Sequence, residues 1–340
     1  VAIAYAQFLL SHFSDNPEAS ELKVDKLQHP DLHFAFPVTT NDSVKKHPVS
    51  NLFLNEWRDF VSNQPYGGLF NWLQSIGVEN KQGMIGVDEA LEVVKKLQLK
   101  SYEGGFKVMI IWMAEKMNTA AANKLLKLIE EPPEKTIFLL ITENEDQIIN
   151  TIISRCQALH FPVLSEKDIA KSLVAKENSS ESEALKIATQ AEGNYNKAVH
   201  LLHQDSNDLI FEEWFITWIR AAFKAKGNAA IIQELVVWAE TIAKSGRETQ
   251  KQFLGYCLQF FRQALLLNYK SPELVFLEIK TPKFNLQNFA PFVHSENILA
   301  IEKELNDALY HIERNGNAKI ILLDLSMKLT RFLHKKEKTI

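Results

Sequence analysis

On its hydrophobic pattern the chain reads as an α/β part followed by two all-helical parts. Three observations predict this. Strand-length apolar runs alternate with helix-period stretches from residue 1 to about 163. After Pro162 and Ser165 only the helical period persists, and no internal repeat or low-complexity tract interrupts either pattern. Strand, helix and strand in close succession imply a parallel sheet, because parallel strands need a crossover connection and a helix supplies it.

The elements follow in order. Val1-Ala2-Ile3-Ala4-Tyr5-Ala6-Gln7-Phe8-Leu9-Leu10 is helix-like from its first residue, so further residues are expected before Val1. Lys107 to Trp112 is a continuous apolar run of buried-strand length. Asn118 or Thr119 caps a helix through Ala120, Ala121, Leu125, Leu126 and Ile129. Pro132-Pro133 must stop it, since proline removes a donor and clashes with the preceding turn. Thr136 to Thr142 is a second strand, Asp146 to Ile153 a short helix, and Gln157 to Phe161 a third strand. From Ser165 to His203 the pattern is helical, with Ala184, Leu185, Ile187 and Ala188 on one face and Gly193-Asn194 as a break. From Ser206 to Lys336 the helical period runs through Phe253, Tyr256, Cys257, Phe260 and Phe261, and through Ile320, Leu323, Leu325 and Leu329. A less regular stretch near Lys270 to Pro291, with Phe276, Phe284, Phe289 and the adjacent Phe292, is expected to pack across these helices. Domain boundaries are expected at 1–163, 164–205 and 206–340.

The bulk properties exclude several classes. A chain of 340 residues, 46% hydrophobic and 24% charged, is that of a globular protein of two or three domains. No apolar run approaches the roughly 18 residues of a membrane helix; the richest, Leu209 to Phe223, is broken by Glu212, Glu213 and Arg220. No signal-peptide pattern opens the sequence, so the cytoplasm is expected. Two cysteines, Cys156 and Cys257, make no disulfide framework. A net charge of -4 gives no global attraction to nucleic acid, so any DNA contact must be local.

The chemistry of a nucleotide hydrolase is missing where it should stand. No Gly-x-x-x-x-Gly-Lys-Ser/Thr loop occurs to cradle phosphates; Gly67-Gly68 and Gly104-Gly105 read as turns. The first strand ends in Ile111-Trp112-Met113-Ala114-Glu115, where a hydrolase needs carboxylates to hold Mg²⁺. Trp and Met can neither ligate Mg²⁺ nor activate water. Glu115, further on, reads as a solvated or capping carboxylate.

Two pieces of the α/β part carry a resemblance. The helix ending in Glu130-Glu131-Pro132-Pro133, followed by Ser154-Arg155-Cys156, is similar to the core of bacterial DNA clamp-loader subunits of the AAA+ class, and His29-Pro30-Asp31-Leu32-His33 resembles another segment of that family. The resemblance implies a RecA-like AAA+ α/β module, then a small helical lid, then an all-α collar domain. Trp112 and Met113 fall where the family's hydrolysing subunits carry Asp-Glu, and Asn196 falls where their lid carries the arginine of Gly-x-x-Arg. Both departures point to the non-hydrolysing branch. That branch implies a stator in a ring with motor subunits and a clamp-opening delta subunit, acting on primed DNA through the complex.

What the resemblance implies for single residues is specific. Arg155 would reach into a neighbouring subunit's ATP site, or else be an arginine salt-bridged at its own surface. Ser154 and Cys156 would support it, capping the preceding helix and packing beneath the loop. No cofactor is expected. The family's four zinc cysteines correspond by position to Ser11, Asp15, Glu18 and Glu21, and His12, His29 and His33 are too scattered to replace them, so a metal-free loop is expected. The stripe Phe211, Trp214, Phe215, Trp218 and Phe223 reads as core, with a partner surface as the alternative, and Arg331, Lys335 and Lys336 as a solvated basic tail or a DNA contact. Two rivals remain: a hydrolysing motor subunit cut before its phosphate loop, and a helical adaptor outside replication.

Overall fold

Three parallel strands, β1 (Leu32–Ala35), β2 (Lys107–Trp112) and β3 (Thr136–Ile141), form one sheet in the order β1-β2-β3. This computed structural model describes residues 1–78, 81–103, 105–203, 206–277, 279–282 and 284–337, in two compact units, Val1–Phe161 and Pro162–Ile340.

β2 is the centre of the first unit. It pairs with β1 from Leu32↔Val108 to Ala35↔Ile111 and with β3 from Lys107↔Thr136 to Trp112↔Ile141. Side chains alternate across a strand. Val108 and Ile110 therefore enter one core, with Phe34, Phe36, Trp57 and Trp72, while Met109 and Ile111 enter another, with Ala121, Leu125, Ile129 and Ile152. Burial on both faces explains the unbroken apolar run. Lys107 is the exception, and it is 5% exposed. Its ammonium donates to the carbonyls of Leu97 and Leu99, at the C-terminal end of the helix Val87–Gln98, where a cation meets the negative pole of the helix.

The crossover helix is Thr119–Glu130. Asn118 is its cap, its side chain accepting from the Ala121 amide at 2.8 Å, and the helix ends before Pro132-Pro133, as the sequence requires. The expected short helix appears as a single turn at Glu145–Gln147 and a helix Asn150–Ile153. The strand expected at Gln157–Phe161 is not formed. Leu159 and Phe161 are 73% and 67% exposed, and among the described residues β3 pairs only with β2. An apolar run makes a strand only where the path of the chain lays it along an open edge, and here it does not lie on the free edge of β3. Gly67 closes a turn by donating to the Gln64 carbonyl at 2.8 Å, and a Cβ there would lie 2.7 Å from the Phe60 ring. Gly104, of the other glycine pair, lies outside the described residues.

The second unit is helical and holds two cores. Helices Glu166–Glu177, Glu181–Ala191 and Tyr195–His203 surround Ile169, Leu173, Ala184, Ala188 and Ala198. Ser165 and Ser180 cap the first two, accepting from the Asp168 and Glu183 amides. Residues 204 and 205, at an expected boundary, lie outside the described residues. Helices Ser206–Lys224, Ala229–Ala243, Arg247–Asn268, Ser295–Glu313 and Ala318–Phe332 enclose the larger core, where Phe253, Cys257 and Phe260 are fully buried. On the last of them the buried face is Leu322, Leu325 and Leu329. Ile320, expected on that face, is 64% exposed, because the face that packs inward is the one bearing Leu322, Leu325 and Leu329. The irregular stretch is pinned by Glu212, whose buried carboxylate accepts from the Lys280 and Thr281 amides, and Phe289 is buried against the helices.

Gly193 follows the αL residue Glu192 with φ +83, and the Leu164 amide donates to its carbonyl. A Cβ there would lie 2.5 Å from Val163 Cβ. Gly193→Ala is therefore expected to lose on the order of 2 kcal/mol from the left-handed backbone and the overlap together, read as a lower urea midpoint at unchanged slope.

Candidate functional site

The tip of β2 is filled by an aromatic cluster. Trp112 points to the same face as Val108 and Ile110, and its ring lies 5.1 Å from Trp57 and 6.1 Å from Phe60. Trp57 stacks on Phe36 at 4.2 Å and meets Trp72 edge-on at 5.2 Å, while the Trp72 indole N–H donates to the Pro37 carbonyl at 2.7 Å. Such ring pairs add attraction beyond their buried area. Met113 is 3% exposed and sits in the left-handed region, φ 56, which turns the chain off the strand into the short helix Ala114–Lys116. Trp112 and Met113 thus present a thickly packed apolar end with no oxygen for a cation. Of the two roles expected of Glu115, solvated or capping, the cap is taken by Asn118; Glu115 is half-buried, and its Oε2 has no hydrogen-bond partner.

The two motif pieces meet in space. Glu130, at the last turn of the crossover helix, faces Arg155, 25 residues further on. Arg155 Nε lies 3.3 Å from Glu130 Oε2 and Nη2 donates to Oε1 at 3.4 Å, a side-on fork. Nη1 donates to the Thr151 carbonyl at 2.8 Å and lies 3.4 Å from Ser154 Oγ. Ser154 is the C-terminal cap of Asn150–Ile153, and its hydroxyl donates to the Thr151 carbonyl. Ile152, in the same turn, is 1% exposed and anchors it beneath the sheet. The guanidinium therefore stands on a rigid turn with every nitrogen engaged, yet its side chain is one-third exposed and that of Glu130 half exposed. An exposed pair of this kind contributes about 0.2–1 kcal/mol, too little to be a stability device. Cys156 does not pack beneath the loop as expected. It is exposed, because the chain leaves the turn without entering a strand, and desolvation pushes its thiol up, the opposite of an activated nucleophile.

His29-Pro30-Asp31-Leu32-His33 is a structural knot at the start of β1. The buried Asp31 carboxylate accepts from the Tyr102 and Glu103 amides at 2.8 and 3.0 Å, and from Ser101 Oγ at 3.4 Å. His29 Nδ1 accepts from the Asp31 amide, which leaves its Nε2–H to face Glu103 Oε2 at 3.2 Å. Lys23 and Ser14 also bond to Glu103, so the motif ties the first helices to the loop before β2. These residues do not fit a zinc ion. His29 has both ring nitrogens committed, the buried Ser11 hydroxyl donates to the Gln7 carbonyl, and His12 stacks on Phe8. Among the described residues no group of three or more His, Cys, Asp or Glu side chains could hold a metal ion.

The remaining candidates separate cleanly. Phe211, Phe215 and Trp218 are core, with Trp218 stacked on Trp238 at 5.0 Å and donating to Ser326 Oγ, and Trp214 is half-buried. Phe223 is 41% exposed and stacks on His334, so the stripe is core only as far as its last member. In the basic tail, Lys335 is tied to Glu296, whereas Arg331 and Lys336 are exposed. Asn196 lies in the first turn of Tyr195–His203.

Burial, followed by the charges of Lys96 and Lys107, lowers the His33 pKa from 6.5 to about 4. The unfolded chain takes up that proton near pH 6.5 and the folded chain only near 4, so the unfolded state binds more protons in between. Stability is expected to be full above pH 6.5 and to fall by up to about 3 kcal/mol on acidification to pH 4. Denaturant melts across that window check this, and His33→Gln should flatten the slope.

The family described as "DNA polymerase III, delta subunit" matches residues 1–165. DNA polymerase III subunit delta' of Escherichia coli is 32% identical over 133 residues, 39% of this chain and 40% of that protein. The delta' subunit of Bacillus subtilis is 35% identical over 121 residues, 33% of this chain and 36% of that protein. The tau subunit of Bacillus subtilis is 36% identical over 124 residues, 35% of this chain and 22% of that protein. The match thus spans well under half the length of these curated relatives. A gamma-subunit-related protein of solved structure from Thermotoga maritima aligns over 98% of this chain and 100% of that one, at 14% identity and a TM-score of 0.37. No helix among the described residues is long and apolar enough to cross a membrane. Over its first half, which holds the Glu-Glu-Pro-Pro helix and the Ser-Arg-Cys turn, this chain is similar to the delta-prime-like clamp-loader subunits of bacterial DNA polymerase III.

Proposed function

We propose that the chain is a non-hydrolysing stator of the clamp loader, which helps place the sliding clamp on primed DNA in the cytoplasm. One observation carries the reading: Trp112 and Met113 fill the β2 tip with packed apolar side chains, where a hydrolase would hold Mg²⁺. Relatives named delta' and tau match at similar identity, so similarity alone does not choose the branch. The strand tip supports the choice.

On this reading ATP is cleaved in a neighbouring motor subunit. There the water oxygen bonds to the γ-phosphorus as the bond to the β–γ bridging oxygen breaks. The electron pair leaves on ADP, and the water's proton leaves with the phosphate. Arg155 stabilises charge on the γ-oxygens from across the boundary. The requirement is a permanently charged, planar donor on a rigid, exposed turn, which the Asn150–Ile153 turn supplies. Residues 164–205 act as the lid and 206–340 as the collar that joins motor and delta subunits in the ring. Their separate hydrophobic cores support that division.

In a complex reconstituted with the motor subunits of the same organism, Arg155→Ala is expected to lower the DNA- and clamp-stimulated rate at the adjoining site by roughly 10³- to 10⁵-fold, with an unchanged melting curve. The isolated chain is expected to show no Mg²⁺-dependent ATP turnover. Turnover by the isolated chain would instead identify a motor subunit. Failure to assemble with motor subunits would favour an adaptor outside replication.

A further inference from the structure

Resting on that reading of Arg155, we infer that Glu130 is its positioning residue, orienting the guanidinium plane so that its remaining Nη2 hydrogen meets the neighbour's phosphate. A guanidinium has two edges that can each offer a pair of donors, one formed by Nε and Nη2 and one by Nη1 and Nη2. Here the Nε–Nη2 edge is taken by both oxygens of Glu130, and Nη1 is steadied by the Thr151 carbonyl. A fork of two parallel contacts fixes the plane as well as the distance, which a single contact does not. The plane once fixed, the second Nη2 hydrogen, which no contact in this chain takes, has a set direction in which to donate to a phosphate oxygen.

The backbone explains why a glutamate at this place can do so. Glu130 closes the helix Thr119–Glu130, and Pro132-Pro133 forbid another turn, so the carboxylate stands at a chain position that cannot slide. The arginine stands on a turn anchored by the buried Ile152. Both partners are rigid at the backbone, and neither is buried enough for the pair to serve the core. The joint presence of Glu-Glu-Pro-Pro and Ser-Arg-Cys in one sequence is, in this structure, a contact between them.

The opposite role is a restraint: Glu130 could hold Arg155 back from the neighbour by competing with phosphate. The two differ in sign. For positioning, Glu130→Ala in the reconstituted complex lowers the stimulated kcat by roughly tenfold, because a misdirected group loses rate steeply with small displacements. The KM for ATP stays near the wild-type value, Glu130→Gln falls between, and Arg155→Lys, which has no fork, is not improved by retaining Glu130. A kcat that rises in Glu130→Ala, or that equals wild type while Arg155→Ala is impaired, overturns the positioning role and leaves the trans arginine standing. An unimpaired Arg155→Ala removes the trans arginine itself. Circular dichroism melts of the isolated variants check that each is folded, and the complex recovered by gel filtration checks assembly.

Discussion

Burial of β2 on both faces is the constraint from which the first unit follows. A central parallel strand has no solvated side, so each of its residues must find an apolar neighbour above or below. Val108 and Ile110 meet the aromatic cluster, and Met109 and Ile111 meet the crossover helix. Only the strand's ends can carry polar chemistry. At one end Lys107 spends its charge on the carbonyls of a helix terminus. At the other, Trp112 continues the aromatic core to the tip. The same packing that stabilises the sheet thus extends apolar side chains to the tip of the strand.

The two sides of the crossover helix carry different duties. Its buried face, Ala121, Ala122, Leu125 and Ile129, holds the helix on the sheet. Its last exposed residue, Glu130, reaches Arg155. The contact contributes too little free energy to explain itself as a stability device, and geometry is what it supplies. The His-Pro-Asp-Leu-His segment works the other way. Its His29 and Asp31 side chains are buried and hydrogen-bonded, and they join the first helices, β1 and the loop before β2 into one body.

In the second unit a few polar contacts organise large apolar surfaces. Glu212 fastens an irregular stretch by its amides, and Arg262 of the helix Arg247–Asn268 pairs with Glu192 of the three-helix group. The helices beyond residue 206 are held by aromatic packing centred on Phe215, Trp218 and Phe260.

The sequence by itself determined the strands Lys107–Trp112 and Thr136–Ile141, the helix between them with its Asn118 cap and proline stop, and the absence of carboxylates at the strand tip. These are local properties: periodicity, capping and side-chain chemistry act within a few residues. Tertiary structure alone decided the rest. The run Gln157–Phe161 has strand composition but pairs with no strand among the described residues, and Leu159 and Phe161 stay exposed. Ile320 follows the helical period yet faces out, since only packing selects which face is inner. Glu130 and Arg155 were legible as motif residues but not as partners, because their meeting depends on how the helix crosses the sheet. A contact between residues 25 apart is fixed by the path of the chain between them, which no local pattern encodes.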